Sequence, residues 1–315
     1  MNSAAGVALV LGASGDQGFP QAVQLAGNGW RVRAAARALD RLHSALDNAC
    51  APAVRGRIVG VEVDLADANS LSRAMTGVDV LLANYPSSSL HDAGALIAAA
   101  EATGAAAARA GVSLIVLNTS LPLPTASLGF AAQDVRMKQR EILRDSGVPT
   151  ISIQPVVFMD NLLRGWTYPE ILAKDCLPYA HAPTLEVAWI CLHDLAQLME
   201  AAATRPHLAG RDINVGGPEL LRGPDLARIL SELTGRQIAF SSEAVETFCM
   251  RMREAFVASA TIDADRLVEE LGRIYRWYNE SAERPFRIDM RPVLRDLPVT
   301  LTTFATWASR QRWNP

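Results

Sequence analysis

The feature that most constrains this chain is a short apolar run that leads into a glycine-rich turn near its N-terminus. Residues 7–11, VALVL, are apolar without a break, which is typical of a strand buried on both faces of a parallel sheet. Glycines follow at positions 12, 15 and 18, and a helical pattern of apolar residues begins after the third of them. The sequence therefore predicts a strand, a tight turn and a helix, the arrangement in which a glycine-rich motif binds a dinucleotide.

Each glycine of this turn has a separate expected role. Gly12 permits the tight turn, Gly15 leaves room for a pyrophosphate beside the backbone, and Gly18 allows the helix to pack closely on the strand. The start of the helix offers unpaired N–H groups and a partial positive charge to the phosphates. The predicted phosphate-binding residues are Gly12, Ser14, Gly15, Asp16, Gln17 and Gly18.

The end of the second predicted strand indicates which dinucleotide is bound. In this fold an acidic residue about 20 positions beyond the glycines holds the ribose 2′-hydroxyl of NAD(H). Here the strand ends in Arg37, and the first acidic residue after the strand is Asp40. A guanidinium at this position suits a 2′-phosphate, so we predict NADP(H) as the cofactor. A solvated surface arginine at a strand end is the alternative for Arg37.

The rest of the first half repeats the alternation of strand and helix. Further strands are predicted at 30–36, 58–64, 79–83, 114–118 and 150–155, and a short one at 212–215. Strands that alternate with helices at this spacing predict a Rossmann-type doubly wound parallel sheet of the α/β class. We expect an NADP(H)-binding domain at 1–155 and a smaller mixed, mostly helical substrate portion at 156–315, interwoven with it.

Loops at the carboxyl ends of parallel strands are where such sheets bind their ligands. Asp64 and Leu65 follow the third strand, and we expect them to flank the adenine. Asn84, Tyr85 and Pro86 follow the fourth strand, and we expect them to approach the nicotinamide half of the cofactor. Tyr85 is also a candidate proton donor, with an aromatic wall residue as the alternative.

Composition narrows the classes of partner. The 315 residues carry a net charge of −3, which argues against a nucleic-acid partner or an anionic membrane surface. No apolar run approaches the ~20 residues of a membrane-spanning helix, and no signal peptide is recognisable, so a cytoplasmic location is expected. The four cysteines and five histidines lack metal-ligand spacing, so no metal is predicted. The expected partner is a small-molecule substrate, and the sequence leaves a homodimer open.

Taken in order, several stretches make the chain similar to the NmrA-like group of atypical short-chain dehydrogenase/reductases. They span nearly the whole chain: 12–18 (GASGDQG), 32–37 (VRAAAR), 63–67 (VDLAD), 77–79 (GVD), 146–149 (SGVP), 154–155 (QP), 158–161 (FMDN), 193–196 (HDLA), 214–219 (NVGGPE) and 297–299 (LPV). The resemblance implies a Rossmann domain that binds NADP(H) and a C-terminal portion that closes a substrate cleft. It also implies that Pro155 and Phe158 contact the cofactor.

The resemblance also bears on the chemistry. Short-chain dehydrogenases carry Tyr-x-x-x-Lys, and Lys138 matches the active-site lysine, whereas Asp134 stands where the tyrosine would be. We expect Lys138 to bond the nicotinamide ribose and to organise proton delivery, with a solvated helix face as the alternative. Thr119 or Ser120 would bond the substrate carbonyl, with turn capping as the alternative. The proton donor is left open between Lys138, a hydroxyl and water.

The predicted function is an NADPH-dependent oxidoreductase that transfers a hydride to a small, mostly apolar carbonyl, enone or quinone. The alternative is an NADP(H)-sensing regulatory protein of the NmrA-like type without turnover, which the absent tyrosine favours. An epimerase or dehydratase with a tightly held cofactor is the third hypothesis, and the same absence weakens it, because such enzymes need a strong acid or base at that position.

Overall fold

The computed structural model, which describes residues 6–89, 91–257 and 264–313, is built on a seven-stranded parallel sheet. The strands in chain order are β1 (Val7–Val10), β2 (Arg31–Ala36), β3 (Ile58–Glu62), β4 (Val80–Asn84), β5 (Leu114–Asn118), β6 (Thr150–Pro155), β7 (Cys176–Tyr179), β8 (Asp212–Val215) and β9 (Ala239–Ser242). The large sheet has the order β3-β2-β1-β4-β5-β6-β8, and β7 pairs with β9 in a separate parallel ribbon. The reversal of strand order beside β1 creates the crevice in which such folds bind ligands.

Both faces of the large sheet are covered, which explains why its strands are apolar throughout. Successive side chains of a strand point to opposite faces. In β1, Ala8 and Val10 join one buried cluster while Leu9 joins the other. In β5, Leu114 and Val116 join the first cluster, and Ile115 and Leu117 join the second. A strand that must be apolar on both faces cannot show the alternation of a half-exposed strand.

The helices divide between these two faces. In chain order they are α1 (Gly18–Gly27), α2 (Leu39–Ala49), α3 (Pro52–Arg55), α4 (Ala68–Met75), α5 (Ala93–Ala110), α6 (Ala131–Asp145), α7 (Tyr168–Lys174), α8 (Leu192–Ala203), α9 (Gly223–Thr234), α10 (Val245–Val257), α11 (Ala264–Glu280), α12 (Met290–Asp296) and α13 (Phe304–Ala308). Helices α1, α2 and α8 bury apolar side chains in the first cluster, and α4 and α5 bury theirs in the second. Among the described helices, none is both long enough and apolar enough to cross a membrane.

The chain beyond β6 is divided between the sheet and a separate lobe. Helix α8 and strand β8 return to the large sheet, where Ser152 of β6 pairs with Asp212 of β8. Glu200 on α8 accepts hydrogen bonds from the side chains of Gln24 (2.9 Å) and Asn28 (2.6 Å), at the end of α1. The ribbon β7-β9 and helices α9 to α11 form the lobe beside the carboxyl edge of the sheet.

The predicted doubly wound parallel fold is confirmed, and the predicted bounds of β5, β6 and β8 coincide with the observed ones. Asp92 caps the start of α5, since its Oδ1 accepts a hydrogen bond of 2.8 Å from the Ala95 amide. Strands β7 and β9 were not predicted. Each has only four residues, and β7 contains Pro178, which ordinarily argues against a strand.

Candidate functional site

A long cleft opens along the carboxyl edges of β1, β2 and β4, at the reversal of strand order. We call it the glycine-loop cleft, and its volume is about 600 Å³. Its lining includes almost all of the residues predicted to bind the cofactor: Gly12, Ser14, Gly15, Asp16, Gln17, Gly18, Arg37, Asp64, Leu65, Asn84, Tyr85 and Pro86. Residues from four different strand ends therefore converge on one cavity.

The glycine loop is compact because two of its glycines have no room for a side chain. Gly12 adopts φ +68°, and a Cβ on it would lie 2.9 Å from the Asn84 carbonyl oxygen. A Cβ on Gly18 would overlap the Gly12 carbonyl oxygen. At Gly15, a Cβ would meet only that same oxygen, at 3.3 Å, and otherwise project into open space. The backbone at Gly15 is thus the part of the loop that a ligand can approach most closely, which fits the pyrophosphate of a dinucleotide.

A network of buried amides holds the floor of the glycine-loop cleft. Asn84 exchanges two hydrogen bonds with Gln21 of α1 (2.8 and 3.0 Å) and donates to the Leu11 carbonyl at 3.1 Å. Asn118, at the end of β5, donates to Asn84 Oδ1 (2.8 Å) and to Gln17 Oε1 (2.7 Å). The network ties the ends of β4 and β5 to the glycine loop, and the sequence analysis assigned Asn118 no role.

Arg37 stands at the far end of the cleft from β5. Its side chain is exposed, lines the cleft, and makes no hydrogen bond or ion pair with the described part of the chain. Arg33, within β2, is engaged with the carbonyl oxygens of Ala74 (2.7 Å) and Thr76 (2.6 Å), and Arg31 lies at the opposite end of the strand. Arg37 is therefore the arginine at the carboxyl end of β2 that is available to a phosphate.

A second cavity, the aromatic pocket, continues from the inner end of the cleft. Its volume is about 360 Å³, and it shares Asp16, Gln17, Tyr85 and Ser120 with the cleft. Its other wall comes from the chain beyond β6 and is mostly apolar, with Phe158, Trp166, Tyr275, Tyr278 and Phe286 among its rings. The cleft and the pocket thus meet along a common edge at the ends of β4 and β5.

The two hydroxyls predicted at the end of β5 are not equivalent. Thr119 is fully buried, and its hydroxyl donates to the backbone carbonyls of Leu121 (2.7 Å) and Ile153 (3.3 Å), outside both cavities. Ser120 has φ +64°, unusual for a residue with a side chain, and it lines both cavities. Its amide donates to Asn118 Oδ1 at 2.9 Å, which supports this conformation. Of the two, only Ser120 is placed to meet a ligand.

Lys138 does not reach either cavity. It lies on the solvent side of α6, its side chain is 54% exposed, and it pairs with Glu141 at 3.5 Å. Arg136, two residues earlier, is buried and lines the aromatic pocket. Residues two apart on a helix point about 200° away from each other, so only one of these two cations can face inward. The geometry does not support the cofactor and catalytic roles expected of Lys138.

Arg136 is a further residue near the site that no sequence motif indicates. Its guanidinium donates to the carbonyl oxygens of Tyr85 (3.3 Å) and Pro86 (2.8 Å) and to Gln139 Oε1 (3.2 Å). Burial lowers its pKa to about 10. The helical period was the available signal, because Ala132, Arg136, Gln139 and Leu143 share the buried face of α6.

Tyr85 contributes to the site through its backbone and ring. The ring packs in the apolar cluster under α5, and its hydroxyl is buried there. Burial raises the pKa of the phenol. This orientation agrees with the alternative of an aromatic wall residue and does not support proton donation into the pocket.

Three further residues singled out in the sequence have other surroundings. Pro155 is buried at the end of β6 and lines neither cavity, whereas Phe158 lines the aromatic pocket but not the glycine-loop cleft. Asp194 is buried in the first turn of α8, and its carboxylate accepts hydrogen bonds from the Thr302 amide (2.6 Å) and hydroxyl (2.9 Å). Asp194 therefore anchors the C-terminal segment.

An ion pair crosses the mouth of the aromatic pocket. Asp16, in the glycine loop, pairs with Arg164, which follows the 3-10 turn Met159–Leu163. Both side chains are partly exposed.

In the described part of the chain, no cluster of histidine, cysteine and acidic side chains could hold a metal ion.

The sequence matches a family model and known proteins. Residues 5–307 match the model of the NmrA-like family. A relative from Streptomyces griseus subsp. griseus, named (4-alkanoyl-5-oxo-2,5-dihydrofuran-3-yl)methyl phosphate reductase, is 33% identical over 270 residues, which cover 80% of this chain and 85% of that one.

Two solved structures share the fold. The Citrobacter sp. triphenylmethane reductase complexed with NADP(H) has a TM-score of 0.71 and 18% identity, covering 96% of this chain and 99% of its own. NmrA, a negative transcriptional regulator, in complex with NADP, has a TM-score of 0.72 and 15% identity, covering 98% and 95%. Proteins that share this fold thus include a reductase and a regulator. Because the family model spans nearly the whole chain, this protein belongs to the NmrA-like family.

Proposed function

We propose that this protein is an NADPH-dependent reductase that acts on a small, mostly apolar carbonyl, enone or quinone. The observation that carries the proposal is the shared edge of the two cavities, where Ser120 and Tyr85 line both. A ligand in the glycine-loop cleft and a second one in the aromatic pocket would meet at that edge. Hydride transfer requires this juxtaposition in a site that excludes water.

The residues of the cleft fit NADP(H) by their chemistry. The backbone from Gly12 to Gly18 and the start of α1 would hold the pyrophosphate, and Arg37 would hold the 2′-phosphate. Asp64 and Leu65 would flank the adenine, and the segment 84–86 would border the nicotinamide. When bound, the cofactor supplies the hydride.

The residues of the common edge would then orient the acceptor. The Ser120 hydroxyl would donate a hydrogen bond to the acceptor's carbonyl oxygen, which would polarise the carbonyl and stabilise charge that develops there. The rings of the aromatic pocket would hold the apolar body of the acceptor and keep water out. The proton that completes the reduction would come through Ser120 or from water.

A substrate named for a relative supports this class of acceptor. The Streptomyces griseus relative is named as a reductase of a (4-alkanoyl-5-oxo-2,5-dihydrofuran-3-yl)methyl phosphate, a small compound that carries carbonyl groups and a phosphate. A cofactor-sensing regulator is the second candidate, because neither Lys138 nor the Tyr85 hydroxyl, the residues expected to handle a proton, faces the aromatic pocket.

The first test is calorimetric titration with NADPH and NADH. We expect wild type to prefer NADPH, and Arg37→Ala to weaken NADPH binding by about tenfold to a hundredfold, the range for one charge-assisted contact, with little change for NADH. Arg31→Ala is the matched control, because it removes an exposed arginine from the other end of β2. Equal binding of both cofactors, or binding of neither, would contradict the assignment of the cleft.

The second test is turnover with a panel of quinones and enones, followed as oxidation of NADPH. Consumption of NADPH that depends on the acceptor supports the reductase. Tight NADPH binding with no turnover across the panel would instead favour the regulator, whose affinity for a protein partner should then change with the oxidation state of the cofactor.

A further inference from the structure

The aromatic pocket contains a buried cation that no anion of the described residues neutralises. The Arg136 side chain is 1% exposed, and its hydrogen bonds go only to two backbone carbonyls and one amide oxygen. Its Nε has no partner, and the described residues form no ion pair with it. Burying a charge without a counter-charge is costly, and carbonyl dipoles offset this cost only in part.

The charge balance of the pocket reinforces the point. Its described lining contains three charged residues, Asp16, Arg136 and Arg164. Asp16 and Arg164 pair with each other, which leaves the charge of Arg136 unbalanced. With a pKa of about 10, the guanidinium remains protonated at neutral pH. Among the described residues, the inner wall of the pocket therefore carries an unbalanced positive charge beside the end of β4.

The remaining lining restricts what could supply the missing charge. Aromatic and aliphatic side chains form most of the wall beyond β6, which suits a flat or conjugated apolar body. A guanidinium binds a carboxylate or phosphate with well-directed hydrogen bonds. Arg136 lines the aromatic pocket and not the glycine-loop cleft, so its partner belongs to the second ligand and not to the phosphates of a dinucleotide.

We propose that the aromatic pocket binds an acceptor that carries an oxyanion group, a carboxylate or a phosphate, on an apolar conjugated body, with Arg136 as the residue that binds the anion. That the ligand is a hydride acceptor rests on the proposed function, but the anion site itself can be tested without turnover. A neutral acceptor of the same shape would leave the guanidinium unpaired and would bind more weakly.

A purely structural role for Arg136 makes a different prediction. The guanidinium ties the segment 85–86 to α6, and loss of this tie would lower stability for every ligand alike. An anion site instead makes the ratio of affinities for a charged and a neutral ligand depend on residue 136. That ratio is therefore the quantity to measure.

The experiment is calorimetric titration of the full chain with 2-naphthoate and with 2-naphthamide, its neutral isostere, with and without saturating NADP⁺. We expect wild type to bind naphthoate at least about tenfold more tightly than naphthamide, as one charge-assisted hydrogen bond implies. Arg136→Gln should abolish the preference and leave naphthamide binding unchanged. Arg136→Lys, which keeps the charge but not the planar set of N–H donors, should retain part of the preference for naphthoate.

Lys138→Gln is the matched control, because it removes one positive charge from the exposed face of the same helix. It should leave the preference at the wild-type value, and melting temperatures show whether each variant is folded. Equal affinity for the two ligands in wild type, binding of neither, or a preference that survives Arg136→Gln would overturn the proposal. A preference for naphthoate without turnover of any acceptor supports the anion site and contradicts the reductase. Turnover of an acceptor without that preference supports the reductase and contradicts the anion site.

Discussion

At the residue scale, neighbouring side chains with the same chemistry have different surroundings. The hydroxyl of Thr119 closes a local backbone turn, and the hydroxyl of Ser120 opens onto both cavities. The cause is the backbone: the positive φ of Ser120 reverses the direction of the chain immediately after β5. Arg136 and Lys138 on α6 also have different surroundings, because residues two apart on a helix point to nearly opposite sides of it.

A substitution at Ser120 tests its proposed role directly. With a quinone or enone acceptor, Ser120→Ala should lower kcat by about 10²-fold, the usual effect of losing one donor to a developing oxyanion, while NADPH affinity stays unchanged. Steady-state kinetics and calorimetry measure the two effects. A wild-type kcat in Ser120→Ala would assign the donor role to water or to another group.

Thr119→Val provides the comparison for Ser120→Ala. It removes a hydroxyl from the adjacent residue and leaves the Leu121 carbonyl without that donor, so we expect a loss of about 1 kcal/mol in the free energy of unfolding. Its kcat should stay near wild type, because the Thr119 hydroxyl reaches neither cavity.

At the scale of elements, the site depends on how closely α1 approaches β1. The contact between Gly18 and the Gly12 carbonyl sets this distance and brings the start of α1 to the cleft. The Asn84–Gln21 and Asn118–Gln17 hydrogen bonds hold the other strand ends against the same helix. A shift of α1 would therefore move the whole floor of the glycine-loop cleft.

Gly18→Ala should push α1 and the glycine loop apart. We expect it to lower the free energy of unfolding by about 1–3 kcal/mol, as overpacking does, and to weaken NADPH binding. Gly27→Ala is the control on the same helix, where a Cβ meets nothing within 4 Å; it should be neutral or stabilise the protein by up to about 1 kcal/mol. Urea unfolding and calorimetry report both quantities, and equal behaviour of the two variants would refute the close-packing argument.

At the scale of the whole molecule, the lobe beyond β6 is held by a buried aromatic cluster that also forms one wall of the pocket. Its centre is His181, whose ring lies 4.5 Å from that of Tyr179, 5.6 Å from that of Trp189 and 5.5 Å from that of Phe286. Burial lowers the pKa of His181 from 6.5 to about 3. The folded protein therefore holds this imidazole neutral.

This depressed pKa predicts an acid-dependent loss of stability. Above pH 6.5 His181 is neutral in both the folded and the unfolded protein, so it contributes no pH dependence to the free energy of unfolding. Between 6.5 and about 3 the unfolded chain binds the proton and the folded one does not, so the free energy of unfolding falls by about 1.4 kcal/mol per pH unit. From pH 6.5 to pH 5 the loss attributable to His181 is about 2 kcal/mol.

Urea unfolding at pH 7 and pH 5 measures this slope. His181→Phe keeps a planar ring and removes the titration, so its acid-induced loss should be smaller than that of wild type by about 2 kcal/mol. His207→Gln, which removes an exposed histidine, should behave as wild type. An unchanged slope in His181→Phe would show that other groups cause the acid sensitivity.

The glycine-loop cleft was largely predictable, because each of its parts is local in sequence. Gly12 to Gly18, Arg37 and Asp64 follow strand ends that an apolar run already marks, and parallel strands bring those ends to one edge. The aromatic pocket was not predictable in this way. Its wall joins Ser120 at the end of β5 to Tyr275 and Phe286, more than 150 residues later, and no local pattern encodes that contact.

By itself, the sequence determined the order of the strands from β1 to β6, the glycine loop, the cation at the end of β2 and the family, since periodicity and backbone sterics act over a few residues. Only the tertiary structure decided that Arg136 and not Lys138 faces inward, that Ser120 and not Thr119 meets the cavities, and that β8 completes the sheet. Each of these depends on which face of an element is covered by distant parts of the chain, and burial against distant residues is a property of the packed molecule.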